Sequence, residues 1–142
     1  MAIRKAEAVW EGNFRDGAGT VSLGSGAFEG SYSAASRFED GAGTNPEELI
    51  GAAHAGCFSM ALSLGLQRAG YDATRIHTVA KVHLNKVESG FKVTSIDLET
   101  EATVPGIDEA TFMEQAQGAK NNCPVSQVLA AAEITLQAKL IN

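Results

Sequence analysis

The chain has 142 residues, close to the commonest size for one domain and long enough to bury a core. Apolar residues make up 44% and charged residues 20%, ordinary globular usage that argues against collagen, coiled coil and disorder. Eleven basic residues against seventeen acidic ones leave a net charge of −6, and no basic stretch offers a surface to nucleic acid or an anionic membrane.

The N-terminus, MAIRKAEAVW, lacks the apolar stretch of a secretory signal. The first forty residues read as β-hairpins: a strand over Ile3 to Trp10, a turn-rich Glu11 to Gly19, a strand over Thr20 to Leu23, and short strands resuming from Ala27. A helix start is marked by Asn45 at the N-cap and Pro46 at the first helical position. Glu47 and Glu48 follow in the first turn, where the helix dipole favours negative charge. This helix is expected to run to about Ala69, with Gly70 as its stop.

The uncharged run from Leu49 to Leu66 touches the lower length limit of a membrane span. It carries Gly51, His54, Gly56, Ser59, Ser63 and Gly65 and no aromatic belt, so it reads as a helix buried inside protein. The chain is accordingly expected to be soluble and cytoplasmic, without a membrane or nucleic-acid partner. Apolar residues nearly all round that helix imply burial on every side. One short chain has little material to supply such cover, whereas a second copy could.

Period-two alternation resumes after Gly70. Ala80, Val82 and Leu84 share one strand face, opposite Lys81, His83 and Asn85. The turn Glu88-Ser89-Gly90 joins that strand to a second over Phe91 to Val104. Asp108 then caps a helix that ends at Asn121-Asn122-Cys123-Pro124, a short helical stretch covers Gln127 to Ala132, and Ile134 to Leu140 is the last strand. No linker or repeat divides 1–142, so the expectation is one α+β domain with antiparallel sheet.

Two cysteines stand in this frame, Cys57 inside the long helix and Cys123 at the end of the later one. In a reducing compartment such a pair is either two unrelated core thiols or a redox couple. Burial raises a thiol pKa and the dipole does little in mid-helix, so a reactive Cys57 requires a cation brought to it. Arg37 and Arg15 are the sequence candidates, and Glu47 or Glu48 can hold a guanidinium still. Ten residues separate Glu47 from Cys57, roughly 15 Å along a helix axis. They can share one small site if two such helices cross as antiparallel neighbours in a dimer. Cys123, before Pro124, is expected in a loop and more exposed than Cys57. Taken singly, Arg37 and Glu47 also read as solvated surface charges.

Read together, these residues carry a resemblance. The run Gly43-Thr44-Asn45-Pro46-Glu47-Glu48-Leu49-Ile50-Gly51-Ala52-Ala53-His54-Ala55-Gly56-Cys57-Phe58-Ser59-Met60-Ala61 closely resembles the signature of the OsmC/Ohr family. Asn122-Cys123-Pro124-Val125-Ser126 is similar to the family's second cysteine motif, and the likeness extends over essentially the whole chain, nearer the OsmC branch than the Ohr branch. The resemblance implies an OsmC-like fold and an intertwined homodimer, sheets of both chains wrapped around central helices and a site at the interface. It implies thiol-based reduction of organic hydroperoxides, and of hydrogen peroxide less well, in oxidative or osmotic stress defence. By the same likeness Cys57 is the peroxidatic cysteine, Cys123 the resolving one, Arg37 the arginine that stabilises the thiolate and Glu47 the acid that orients it. In the Ohr branch the arginine comes from an earlier loop, which Phe14-Arg15-Asp16-Gly17 resembles; Arg37 is the residue chosen here. The reductant is expected to be a dithiol, with a lipoyl-bearing protein as family precedent, and no metal or flavin is required.

Two other classes compete. A metal protein would use His54 and Cys57, three apart on the helix, with His77 and His83 as further imidazoles, although His54 reads better as a packed helix residue. A non-catalytic dimer would use the same cysteines as a redox sensor or bind an apolar ligand.

Overall fold

The computed structural model describes residues 2–142, which form two compact units, one ending at Leu49 and one spanning Ile50–Asn142. The first unit holds β1 (Ala6–Glu11), β2 (Ala18–Leu23), β3 (Glu29–Tyr32), α1 (Ala34–Phe38) and the first turn of α2 (Pro46–Arg68). The strands form an antiparallel sheet in the order β1-β2-β3. Its register sets Trp10, Gly19 and Tyr32 in one row across the three strands. A side chain at Gly19 would collide with both rings, so glycine in the middle strand lets Trp10 and Tyr32 meet at a centroid distance of 5.4 Å.

The helix α1 is absent from the hairpin reading of this region. Ser33 and Ser36 make it by a reciprocal cap: the Ser36 N–H donates to Ser33 Oγ at 3.1 Å and the Ser33 N–H to Ser36 Oγ at 2.8 Å. A box built from two serines, where the usual pattern has Glu or Gln at the third helical position, is easily missed in sequence.

The start of α2 follows expectation. The Glu48 N–H donates to Asn45 Oδ1 at 2.8 Å, Pro46 opens the helix, and Glu47 and Glu48 occupy the first turn. At the other end the Tyr71 N–H reaches the Leu66 carbonyl at 2.9 Å and the Gly70 N–H reaches that of Gln67 at 3.0 Å. This is a Schellman closure, and it needs the positive φ of 94° that Gly70 adopts.

The second unit continues α2 with β4 (Arg75–Val87), β5 (Gly90–Thr103), α3 (Glu109–Asn122), α4 (Pro124–Val128) and β6 (Glu133–Leu140). Its sheet has the order β4-β5-β6. The β4–β5 hairpin is antiparallel, as expected, with a register shift at His83/Leu84. The β5–β6 pair is parallel. The α+β class stands, but this sheet is mixed rather than wholly antiparallel. The reason is that α3 and α4 lie between β5 and β6 and carry the chain back before it pairs again. Phe58, Leu62 and Leu66 of α2 join Ile96, Leu98 and Ala102 of β5 and Phe112, Ala116 and Ala119 of α3 in the core.

The long helix departs from expectation in one respect. By length and composition α2 can cross a membrane, yet within the chain it is neither bare nor buried on every side. Gly51, His54, Phe58, Leu62 and Leu66 face inward, whereas Ala52, Ala53, Gly56, Met60 and Leu64 are exposed. The chain's own sheet and helices cover one face and leave a second apolar stripe open.

Candidate active site

The structure builds two constellations, one in each unit. In the first, the Arg37 guanidinium grips the Glu47 carboxylate with both arms, Nε to Oε1 at 2.9 Å and Nη2 to Oε2 at 2.8 Å. A knot of short bonds brings α1 to the first turn of α2. Ser36 Oγ donates to the Thr44 carbonyl at 2.7 Å, Asn45 Nδ2 donates to the Ser36 carbonyl at 3.1 Å, and Thr44 Oγ1 donates to Glu48 Oε1 at 2.8 Å. Thus Asn45 caps α2 with its oxygen and ties α1 with its nitrogen.

Glu47 is buried and a third of the Arg37 side chain is exposed, so these are not the solvated charges that each residue alone suggests. The Glu47 carboxylate, through its hydrogen bonds and charge, raises the Arg37 pKa above its ordinary value against the opposing cost of burial. The guanidinium also lies over the Phe38 ring, 5.3 Å from its centroid. A cavity of about 290 Å³ opens beside it, lined by Trp10, Phe14, Tyr32, Ser33, Ala34, Arg37 and Pro46. Arg15 is exposed in the turn after β1, next to Phe14, whose ring packs on Phe38 at 6.1 Å.

In the second unit the two sulfurs meet. Cys123 Sγ donates to Cys57 Sγ at 2.7 Å across 66 residues, with no disulfide joining them. The expected exposures are reversed. Cys123 is fully buried and Cys57 is partly open, because Cys123 ends α3 and begins α4 and is enclosed by both. The short helix also begins earlier than expected, at Pro124 rather than near Gln127, since proline suits a first helical position as well as it stops the helix before it.

Burial pushes the Cys57 thiol pKa up, and the neighbouring Cys123 sulfur adds to that rise; a backbone hydrogen bond from Val125 pulls the other way. Within its own unit the surroundings of Cys57 therefore disfavour the thiolate. It opens onto a groove of about 1000 Å³ between α2 and α3, walled by Met60, Ala61, Leu64 and Ala119 with Arg68 further along.

His54, one turn before Cys57, is fully buried, and its Nε2 lies 2.7 Å from Ser126 Oγ. It is the packed helix residue that the sequence suggests, and its partner Ser126 has no place among the sequence candidates. The signal was present: Ser126 follows Cys123 by three residues just as His54 precedes Cys57 by three. His77 and His83 are exposed on β4, and no group of three or more metal-ligating side chains occurs among the described residues.

Burial lowers the His54 pKa from the ordinary value of about 6.5. The unfolded chain therefore takes up a proton there before the folded one does. Stability from this group is complete above pH about 6.5 and is lost as the pH falls below it. Asp97 and Asp108, held low chiefly by hydrogen bonds from Thr135 and Thr111, act in the same direction only below pH about 4. Denaturant midpoints between pH 8 and 5 should fall toward acid in the native chain, and His54→Leu should flatten that part of the profile.

Residues 39–139 match the family described as OsmC-like protein. The chain is 56% identical over 138 residues to Peroxiredoxin OsmC of Escherichia coli (strain K12), covering 96% of each, and equally to that of Shigella flexneri. Its fold is similar to that of an OsmC-like protein from Vibrio cholerae (TM-score 0.78, 18% identity, 97% of this chain and 99% of that one). It is also similar to an organic hydroperoxide resistance protein from Legionella pneumophila (TM-score 0.72, 20% identity, 100% of both chains). From the motif run at Asn45 to Cys57, the fold and the near-complete sequence match, this chain belongs to the OsmC-like family.

Proposed function

We propose that this protein is a cytoplasmic thiol peroxidase that reduces organic hydroperoxides in stress defence, with hydrogen peroxide a poorer substrate. The observation that carries the reading is the sulfur pair, Cys57 partly open to a groove with Cys123 buried 2.7 Å behind it. Kinship to proteins named Peroxiredoxin OsmC supports it.

Cys57 is the peroxidatic cysteine. Its thiolate attacks the terminal oxygen of the peroxide, the O–O bond breaks, the alkoxide takes up the proton that Cys57 gave up on ionising and leaves as the alcohol, and the sulfur keeps the hydroxyl as a sulfenic acid. The Cys123 thiol then attacks that sulfur, an S–S bond forms, and water leaves. A dithiol, with a lipoyl-bearing protein as candidate, reduces the disulfide by exchange and is itself oxidised. Each turnover thus carries two electrons from the dithiol to the peroxide, and the cycle calls on no metal or flavin.

The raised pKa of Cys57 is what this cycle must overcome, and a cation is the remedy. Arg37, fixed by the buried Glu47, is the cation we assign, and Arg15 is not. We assign it in trans, from a second copy in an intertwined homodimer whose two units act as one domain in each chain. The exposed apolar stripe Ala52, Ala53, Gly56, Met60 and Leu64 supports such a partner, since small residues let two helices approach closely. The aromatic cavity beside Arg37 would then receive the alkyl part of the peroxide.

Turnover separates this reading from a redox sensor. With a dithiol present the protein should consume many equivalents of an organic hydroperoxide. After one equivalent without dithiol, intact mass should show the loss of two hydrogens, with both thiols shielded from alkylation. Arrest after one equivalent would make it a sensor, and two thiols still free would remove the peroxidase reading.

A further inference from the structure

The hydrogen bond between His54 and Ser126 is buried at both ends, spans 72 residues, and joins the two segments that carry the cysteines. On α2, His54 lies one turn before Cys57, and residues three apart share a helix face. On the other segment Ser126 lies three residues after Cys123, in the first turn of α4. The two segments are thus fastened at two neighbouring points, the sulfur pair at 2.7 Å and the imidazole–hydroxyl pair at 2.7 Å. The same turn also supplies the backbone hydrogen bond from Val125 to Cys57.

The imidazole is an expensive way to fill this space. Its Nδ1 is buried without a hydrogen-bond partner, a cost that a leucine of similar size would avoid. What a leucine cannot supply is direction. An apolar contact tolerates sliding and rotation of the five-residue α4, whereas a hydrogen bond between two fixed segments sets both its distance and its angle.

We propose that His54 and Ser126 are positioning residues for disulfide formation: their hydrogen bond holds the Cys123–Ser126 turn against α2 so that the Cys123 thiol stands at Cys57. The inference rests on the peroxidase reading for its biological use, but the geometry it describes can be measured without peroxide. A latch that holds two thiols together raises their effective concentration, which makes the disulfide more stable and its formation faster.

The test is the reduction potential of the Cys57–Cys123 pair, read by equilibration against a dithiothreitol buffer. Ser126→Ala, which deletes one oxygen, should weaken the disulfide about tenfold, raising the potential by about 30 mV for a two-electron couple. His54→Leu should do the same, and the double variant should be no worse than either single one, because one bond is lost in all three. His54→Gln, which keeps a polar group near the Nε2 position, should recover much of the effect. After a pulse of organic hydroperoxide, Ser126→Ala should also yield more Cys57 sulfinic acid and less disulfide than the native chain.

A native potential and a native product ratio in Ser126→Ala would overturn the proposal, and so would additive effects in the double variant. If the His54 variants fail to fold, Ser126→Ala decides alone. A shifted potential in a protein that never consumes peroxide would sustain the latch and defeat the peroxidase reading. Normal turnover with an unshifted potential would do the reverse.

Discussion

Cys57→Ser is expected to abolish peroxide turnover, by about a thousandfold or more, because a serine hydroxyl at neutral pH is neither ionised nor soft enough to displace at a peroxide oxygen. Cys123→Ser is expected to behave differently. It leaves the first step intact, so one equivalent of peroxide is consumed and the sulfur stops at sulfenic acid. Further peroxide then drives Cys57 to sulfinic acid, since the buried thiol that stands 2.7 Å away in the native chain is gone. Stopped-flow consumption of peroxide together with intact mass distinguishes the two. Retained turnover in Cys57→Ser would end the assignment. A Cys123→Ser protein that cycles with dithiol as fast as the native one would remove Cys123 from the cycle.

Arg37→Ala is expected to lower the peroxidase rate by about two to three orders of magnitude, the usual loss when a preorganised charge at a reacting centre is deleted. Arg37→Lys is expected to recover part of it, because an ammonium keeps the charge but cannot match both Glu47 oxygens with one planar fork. The sharper experiment mixes two dead proteins. Cys57→Ser supplies an intact Arg37, and Arg37→Ala supplies an intact Cys57. If each site takes its arginine from the other copy, a mixed dimer contains one complete site. Random exchange then restores about a quarter of native activity, because half of the dimers are mixed and each has one working site of two. An arginine acting within its own chain would restore nothing. The same mixture made with Arg15→Ala tests the other candidate, which is expected to be nearly as active as the native protein before any mixing.

Much of this site is legible in the sequence. Asn45, Pro46, Glu47 and Glu48 state a helix start in local terms, and the structure uses each of them as its chemistry suggests. Gly70 and Asp108 likewise mark the end of α2 and the start of α3. Such signals are readable because capping is decided within about four residues. The cysteines were legible as a pair only through the long motif around Cys57 and the short one around Cys123, because their 66-residue separation carries no geometric information by itself.

What was not legible depended on partners distant in sequence. The exposures of the cysteines came out reversed because Cys123 is enclosed by two helices that join at that residue, while Cys57 faces a groove. The parallel β5–β6 pair is set by how α3 and α4 return the chain, and a period-two pattern reads the same in either strand direction. The helix α1 was hidden because its box is made of two serines, a residue type that also populates turns.

The sequence by itself determined the family, the helix carrying Glu47 and Cys57, and the four side chains proposed for the chemistry, since each rests on a local signal or a long motif. Tertiary structure alone decided that His54 reaches Ser126 across 72 residues, and it gave the Arg37–Glu47 pairing, which the resemblance implies, its two-armed geometry. Hydrogen bonds of that kind have no sequence periodicity. They exist only once the folded backbone has brought donor and acceptor within about 3 Å at a suitable angle.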